Sequence, residues 1–295
     1  MNGVKHDMKV KLYRLGLTVA VLISIAAVCA PLSEKTQTAA SLQTKSVTLP
    51  ILMYHQISED PKRLGTYVIS PEEFEQDCKM IAEAGFETIT IDDLIAYTEG
   101  EQSLPPKPIM LTFDDGYESD YVYAYPILQR YGMKAVSSTV GSYTELYSGD
   151  VQKHINYSHL NWEQMREMLA SGVFEFQNHS YNLHSYSAER KGCRKSASES
   201  VWQYNQLIQE DIQHAQRLFQ ENLGYLPTCF TYPFGSVDER LRKHILASGF
   251  AATLGVYEHL NYLTGKPEEL YELNRFNRKH GYNIKPILEK AAPTK

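Results

Sequence analysis

Pro108-Ile109-Met110-Leu111-Thr112-Phe113-Asp114-Asp115-Gly116-Tyr117 is the stretch on which the fold turns. An apolar run of strand length, Pro108 to Asp114, ends in two adjacent carboxylates followed by glycine. Barrel enzymes place their catalytic groups at the C-terminal ends of such strands. Neighbouring side chains at a strand end project in different directions, so one carboxylate can bind a cation while the other faces a water on it. The same Asp-Asp-Gly is also good turn chemistry, and the motif alone does not choose between the two.

Outward from this strand the chain alternates β-rich runs with helical patterns, which argues for an α/β fold with parallel strands. Further strands are expected at 49–55, 87–91, 134–140, 173–179, 229–232 and 250–254, so that seven strands nearly close a barrel. Ser70-Pro71-Glu72-Glu73 is a capping box with proline in the first turn, and Phe74, Cys78 and Ile81 follow at helical spacing up to Gly85. A second helix starts near Asn161, with Met165 and Leu169 four apart and Gly172 as its stop. The longest spans about Glu199 to Asn222, where Leu207, Asp211 and Ile212 mark a polar and an apolar face, and Gly224 closes it. Residues 141–158 read as a long loop near the mouth of the barrel.

The chain has 295 residues, 43% hydrophobic and 22% charged, an ordinary globular composition that excludes disordered, collagenous and multi-span membrane classes. Lys5, Lys9, Lys11 and Arg14 precede the uncharged run Leu15–Ala30, the pattern of an export signal or N-terminal anchor over residues 1–30. Residues 31–48 then read as a polar linker and 49–295 as the catalytic domain. The protein is therefore expected to be secreted or membrane-anchored at the cell surface, touching the membrane only through its N-terminal segment. The first thirty residues hold four basic and one acidic side chain, so the exported part keeps 25 basic against 34 acidic groups, a net charge of −9. That charge gives a nucleic-acid surface no support. Beyond Cys29 there are three cysteines, Cys78, Cys193 and Cys229, which close at most one disulfide and have no metal-ligand spacing.

Two further constellations follow β-rich runs. Asn178-His179-Ser180-Tyr181-Asn182-Leu183-His184 holds two imidazoles five apart, which in a loop can converge on one metal. With Asp115 they make a two-histidine, one-carboxylate set with open positions for water and substrate. Leu52-Met53-Tyr54-His55 ends the first strand with a histidine suited to general acid work, or to an ordinary loop start. In a parallel barrel His55, Asp114, Asp115 and His179 all emerge at one rim. Tyrosines number 21 against 10 phenylalanines; Tyr143 and Tyr147 are candidates for stacking on sugar rings, while Tyr121, Tyr123 and Tyr125 read as packing at a helix start.

Thr112-Phe113-Asp114-Asp115-Gly116, His179-Ser180 through His184, and Tyr232-Pro233-Phe234-Gly235, in this order, resemble the polysaccharide deacetylases of the NodB-homology type, carbohydrate esterase family 4. The likeness runs from about residue 49 to 280. With Met53-Tyr54-His55 and histidines five rather than four apart, it is most similar to the branch of extracellular poly-N-acetylglucosamine deacetylases. The resemblance implies a distorted (β/α)7 barrel and hydrolysis of N-acetyl groups on a hexosamine polymer, poly-β-1,6-N-acetylglucosamine favoured. It implies Asp114 as general base and Asp115, His179 and His184 as ligands of one divalent metal, zinc favoured, with cobalt, nickel or manganese fitting the same donors. It also implies that His55 protonates the leaving amine and that a backbone N–H near Tyr117 meets the oxyanion. No late Leu-x-His motif is present to supply that acid, and His259 and His280 lack its setting. Thr231 stands near where the wider family often has an arginine that orients the aspartate; Arg275 is the candidate replacement, with a surface arginine as the alternative. Tyr232, Pro233 and Phe234 either wall a sugar groove or pack the barrel. Alternatives on the same fold are a peptidoglycan or chitin deacetylase and a xylan O-acetyl esterase. The alternative of another class is a catalytically silent carbohydrate-binding surface protein.

Overall fold

A computed structural model describes residues 46–187 and 189–292. The export segment and most of the expected linker lie outside the described residues. Seven strands form one parallel sheet: β1 Ile51–Tyr54, β2 Pro108–Asp115, β3 Ala135–Thr139, β4 Phe174–Asn178, β5 Cys229–Thr231, β6 Ala252–Leu254 and β7 Phe276–Asn277, ordered β6-β5-β4-β3-β2-β1-β7. The sheet curls, and the segment leading into β7 meets both of its edges. Leu273 bridges to Leu254 in parallel, and three residues later Phe276 pairs with Leu52. This is the expected distorted barrel, reached with a different seventh strand.

All eight residues of β2 are buried, as both faces of a parallel strand require. Ile109, Leu111 and Phe113 face outward and pack with Phe74, Cys78 and Ile81 of α1, Pro71–Glu83. Met110 faces inward with Ile51, Val136, Cys229, Ala252 and Leu254 and fills the floor of the barrel. Above that apolar layer the inward positions turn polar, with Thr112, Ser138, Gln177 and Thr231 all buried. The barrel is filled by apolar side chains at one end and lined by polar ones at the other.

Three expectations need correction. The run 87–91 is a strand only at Glu87–Thr88, alongside the first residues of β2. Thr90 instead caps the helix α2, Ile91–Thr98, in a box with Asp93. Residues 141–148 are not loop but helix α4, Gly141–Ser148, following α3, Tyr125–Tyr131; it starts without any side-chain cap, so the cap signals in the sequence could not show it. Val47 and Thr48, assigned to the linker, pair antiparallel with Leu263 and Tyr262 and belong to the domain.

The capped helices lie where expected. Alpha1 has its Ser70–Glu73 box, and α5, Trp162–Ala170, has Asn161 boxed with Gln164. The long helix is α6, Val201–Leu223, and it buries Ile208, Asp211 and Ile212 on one face. Asp211 is thus not part of a polar face, for reasons found at the site. Cys78, Cys193 and Cys229 are buried free thiols.

Candidate active site

Because β1, β2 and β4 run parallel, their C-terminal ends deliver His55, Asp114–Asp115 and His179 to the same rim. His184 arrives from the loop after β4. These five side chains line a cleft of about 470 Å³. Asp115 takes a left-handed conformation, φ 73°, which turns its carboxylate away from the direction of its neighbour. Gly116 follows at φ 69°, and a Cβ there would sit 2.6 Å from Thr139 Cγ2, so the turn requires glycine.

Asp115 Oδ1 lies 3.1 Å from His184 Nε2 and 3.4 Å from His179 Nε2. One donor atom from each residue lies within 4.8 Å of the others. Asp115 Oδ1 is buried, yet no N–H is directed at it well enough to make a hydrogen bond. The His179 Nδ1 is 2.8 Å from the Thr231 carbonyl, which can only accept, so Nδ1 carries a proton and the ring is oriented with Nε2 facing Asp115. Two imidazole nitrogens and a carboxylate oxygen converging in this way fit a divalent metal ion.

Asp114 points into the barrel and is clamped by Arg275. Nη1 donates to Oδ1 at 2.7 Å and Nη2 to Oδ2 at 2.8 Å, a bidentate pair with the guanidinium fully buried. Arg275 also donates to Thr112 Oγ1 at 3.2 Å and to the Gly255 carbonyl at 2.7 Å, so its position is fixed at four points. Burial alone would raise the Asp114 carboxyl, but the charge and hydrogen bonds of Arg275 hold it below the ordinary carboxylate value. Thr231, at the position where an arginine was sought, meets Ser138 Oγ at 2.6 Å and holds His179 through its carbonyl.

The domain model of polysaccharide deacetylases matches residues 101–253, which span β2 to β6 and both carboxylate and histidine motifs. The chain belongs to the polysaccharide deacetylase family. The deacetylase is 28% identical over 219 residues to YxkH of Bacillus subtilis, itself named for polysaccharide deacetylation; the match covers 74% of this chain and 68% of that one. It is 25% identical over 194 residues to the poly-beta-1,6-N-acetyl-D-glucosamine N-deacetylase of Staphylococcus aureus, covering 64% of this chain and 63%, just under two thirds, of that enzyme. Its fold matches a de-N-acetylase from Aggregatibacter actinomycetemcomitans with a TM-score of 0.72 at 22% identity, over 82% of this chain and 99% of that one. IcaB from Ammonifex degensii matches with a TM-score of 0.68 at 23% identity, over 84% and 98%.

Around the two carboxylates the remaining candidates take separate places. His55 packs against Tyr67 with ring centres 4.8 Å apart, and its buried Nδ1 has no partner among the described residues. Burial pushes its imidazole below the ordinary value, against the pull of Asp114 and Asp115. Tyr117 lines the cleft, and its amide N–H has no acceptor among the described residues. Tyr232 is buried in the cleft wall, Pro233 is buried behind it, and Phe234, 38% exposed, lies 4.4 Å from the His184 ring. Tyr143 and Tyr147, expected to contact substrate, stand behind the cleft: they flank His159 at 4.5 and 5.5 Å, and Tyr143 Oη donates to the His184 carbonyl at 3.2 Å.

Sequence reasoning missed three residues at this site. His159 stacks on Tyr117 at 4.7 Å with its buried Nδ1 unpartnered among the described residues, yet in sequence it is one histidine among ten. Tyr67, more than half exposed in the cleft, had no local motif to mark it. Asp211 looked like part of a polar helix face, and only its hydrogen-bond partners show otherwise.

Proposed function

We propose that this deacetylase hydrolyses N-acetyl groups of an N-acetylglucosamine polymer outside the cytoplasm, β-1,6-linked chains favoured, with one divalent ion, zinc favoured, held by Asp115, His179 and His184. The observation that carries this reading is the convergence of those three donor atoms at the floor of a cleft beside an aspartate clamped by Arg275. The staphylococcal relative named for poly-β-1,6-N-acetyl-D-glucosamine supports the linkage. The basic-then-apolar segment at the N-terminus supports export.

A bound divalent ion polarises the amide carbonyl and lowers the pKa of a water, which an amide carbon, a poor electrophile, needs. The rest falls to side chains. Asp114 is the base: Arg275 keeps it ionised and occupies both of its oxygens in one plane, so its remaining lone pairs are aimed rather than free to rotate. The unpaired amide of Tyr117 donates to the oxygen that gains charge as the carbonyl carbon becomes tetrahedral. His55 gives the departing amine its proton. Since burial favours the neutral ring, the proton that His55 hands to the amine is the one Asp114 has taken from the attacking water, and Asp114 returns to its ionised form. Phe234 and Tyr232 wall the cleft and present apolar faces to a sugar ring.

The test is acetate release by the exported fragment from N-acetylglucosamine oligomers, β-1,6-linked and β-1,4-linked in parallel, with chelator and metal readdition. Chelator-sensitive release from the β-1,6 series alone is expected. Preference for β-1,4 oligomers would move the assignment to chitin or peptidoglycan, and metal binding without release from either would make this a carbohydrate-binding protein.

A further inference from the structure

The two histidines of the site sit five residues apart in the loop after β4. Each residue between them brings a backbone N–H that must find an acceptor when buried. Every amide between the two rings is accounted for here. His179 N–H donates to the Thr139 carbonyl at 3.1 Å, Ser180 N–H to Asn178 Oδ1 at 2.7 Å and Leu183 N–H to Ser180 Oγ at 3.1 Å. The two in the middle, Tyr181 and Asn182, donate to the two oxygens of Asp211, each at 2.8 Å.

Asp211 is 7% exposed and stands on the buried face of α6 between Ile208 and Ile212, where the helical pattern calls for an apolar side chain. A carboxylate in that position is costly unless its oxygens are satisfied by strong donors. The loop supplies them, and the opposite side of the loop is held just as firmly. The first amides of α4, Gly141 and Ser142, donate to the carbonyls of Ser180 and Tyr181 at 3.1 and 2.8 Å. Glycine at 141 suits this approach, since a Cβ would lie 3.0 Å from Tyr181 Cδ2, a tight contact. The Tyr181 ring stacks on His214 of α6 at 3.9 Å. The backbone between the histidines is thus gripped between two helices, and Asp211 is the charged partner of its amides.

We propose that Asp211 is the positioning residue that presets the separation of His179 and His184, and with it the affinity of the three-donor site for its divalent ion. This rests on the metal assignment made above. Asp211 touches neither ligand, so it acts through the backbone amides of Tyr181 and Asn182. Asp211→Asn keeps the shape but has one acceptor oxygen for two amides, and its NH2 group opposes the second. The loop then loses one anchor midway between the ligands.

The experiment is zinc titration of the metal-stripped protein against a chromophoric chelator, for wild type, Asp211→Asn and the control Gln209→Ala on the exposed face of α6. Outer-shell partners of metal ligands are typically worth about 10–100-fold in affinity, and Asp211→Asn is expected to weaken zinc by that range while Gln209→Ala binds as wild type. Amide hydrogen exchange at Tyr181 and Asn182 should rise in the metal-free variant, a change that a general loss of stability would not confine to these two positions. If Asp211→Asn does not fold, Asp211→Ser, with a single acceptor in a smaller side chain, carries the same expectation. Wild-type zinc binding with an unchanged affinity in the folded variant would overturn the role of Asp211 alone. Absence of zinc binding by wild type would overturn the metal assignment and this inference with it.

Discussion

Replacing Arg275 by methionine tests the clamp on Asp114 in a way that does not depend on substrate. The side chain is fully buried and makes two bonds to the carboxylate, one to Thr112 and one to Gly255. Methionine fills most of the volume but leaves Asp114 as an unpaired charge beside Asp115. Breaking a buried pair by removing one partner costs roughly 3–5 kcal/mol, because the remaining charge keeps its desolvation penalty. For a domain of this size each kcal/mol moves Tm by about 2–4 °C, so a fall of roughly 6–20 °C is expected in thermal melts followed by circular dichroism. The same reasoning fixes the sign of the second step. Asp114→Asn removes the orphaned charge, so the Arg275→Met, Asp114→Asn double variant should melt above Arg275→Met alone. A double variant that melts lower still, by the sum of the two single effects, would show that the two groups do not interact energetically and would refute the clamp.

Asp115→Ala should lose metal and activity together, whereas Asp114→Asn should keep the metal and lose turnover by at least two orders of magnitude; equal metal loss in both, measured by elemental analysis, would end that division of roles. His55→Ala should lower kcat with the metal content unchanged, and full activity would remove it as the acid. Glu175, on the inward face of β4, receives hydrogen bonds from the Asp92 amide at 3.1 Å and Gln177 Nε2 at 2.7 Å, and burial, with Asp92 nearby, raises its carboxyl to about 7. A raised folded-state value means that its contribution is complete below the unfolded value near 4.5 and is lost as pH rises through 7. The loss integrates to at most roughly 3 kcal/mol. Glu175→Gln cannot ionise, so the stability difference between variant and wild type should shift in favour of the variant between pH 5 and pH 8, and a difference that is flat across that range in urea melts would contradict the assignment.

How much of the site could be read from the chain depends on how local each signal is. The carboxylate pair, His179 and His55 each lie at or just after a strand end, with His184 five residues further along the same loop, and strand ends in a parallel barrel share a rim, so their convergence was legible. Arg275 was legible only as a candidate, because the segment that brings it to Asp114 is a two-residue strand reaching across the open edge of the sheet. Tyr143 and Tyr147 were misplaced because they sit on an uncapped helix that turns them behind His184 and His159. Asp211 was read by its polarity, whereas its surroundings are set by a loop 30 residues away in sequence.

The sequence by itself determined the α/β alternation, the capped helices α1, α5 and α6, the apolar core strand β2 and the chemistry of its carboxylate end. These follow from hydrogen-bond demands and apolar periodicity within a dozen residues, which the chain states locally. Only the tertiary structure decided which strand completes the barrel, that Arg275 pairs with Asp114, and that α4 and α6 grip the loop between the histidines. Those contacts join residues far apart in the chain, and their energy comes from burying charges and amides together, a condition that exists only once the barrel has closed around them.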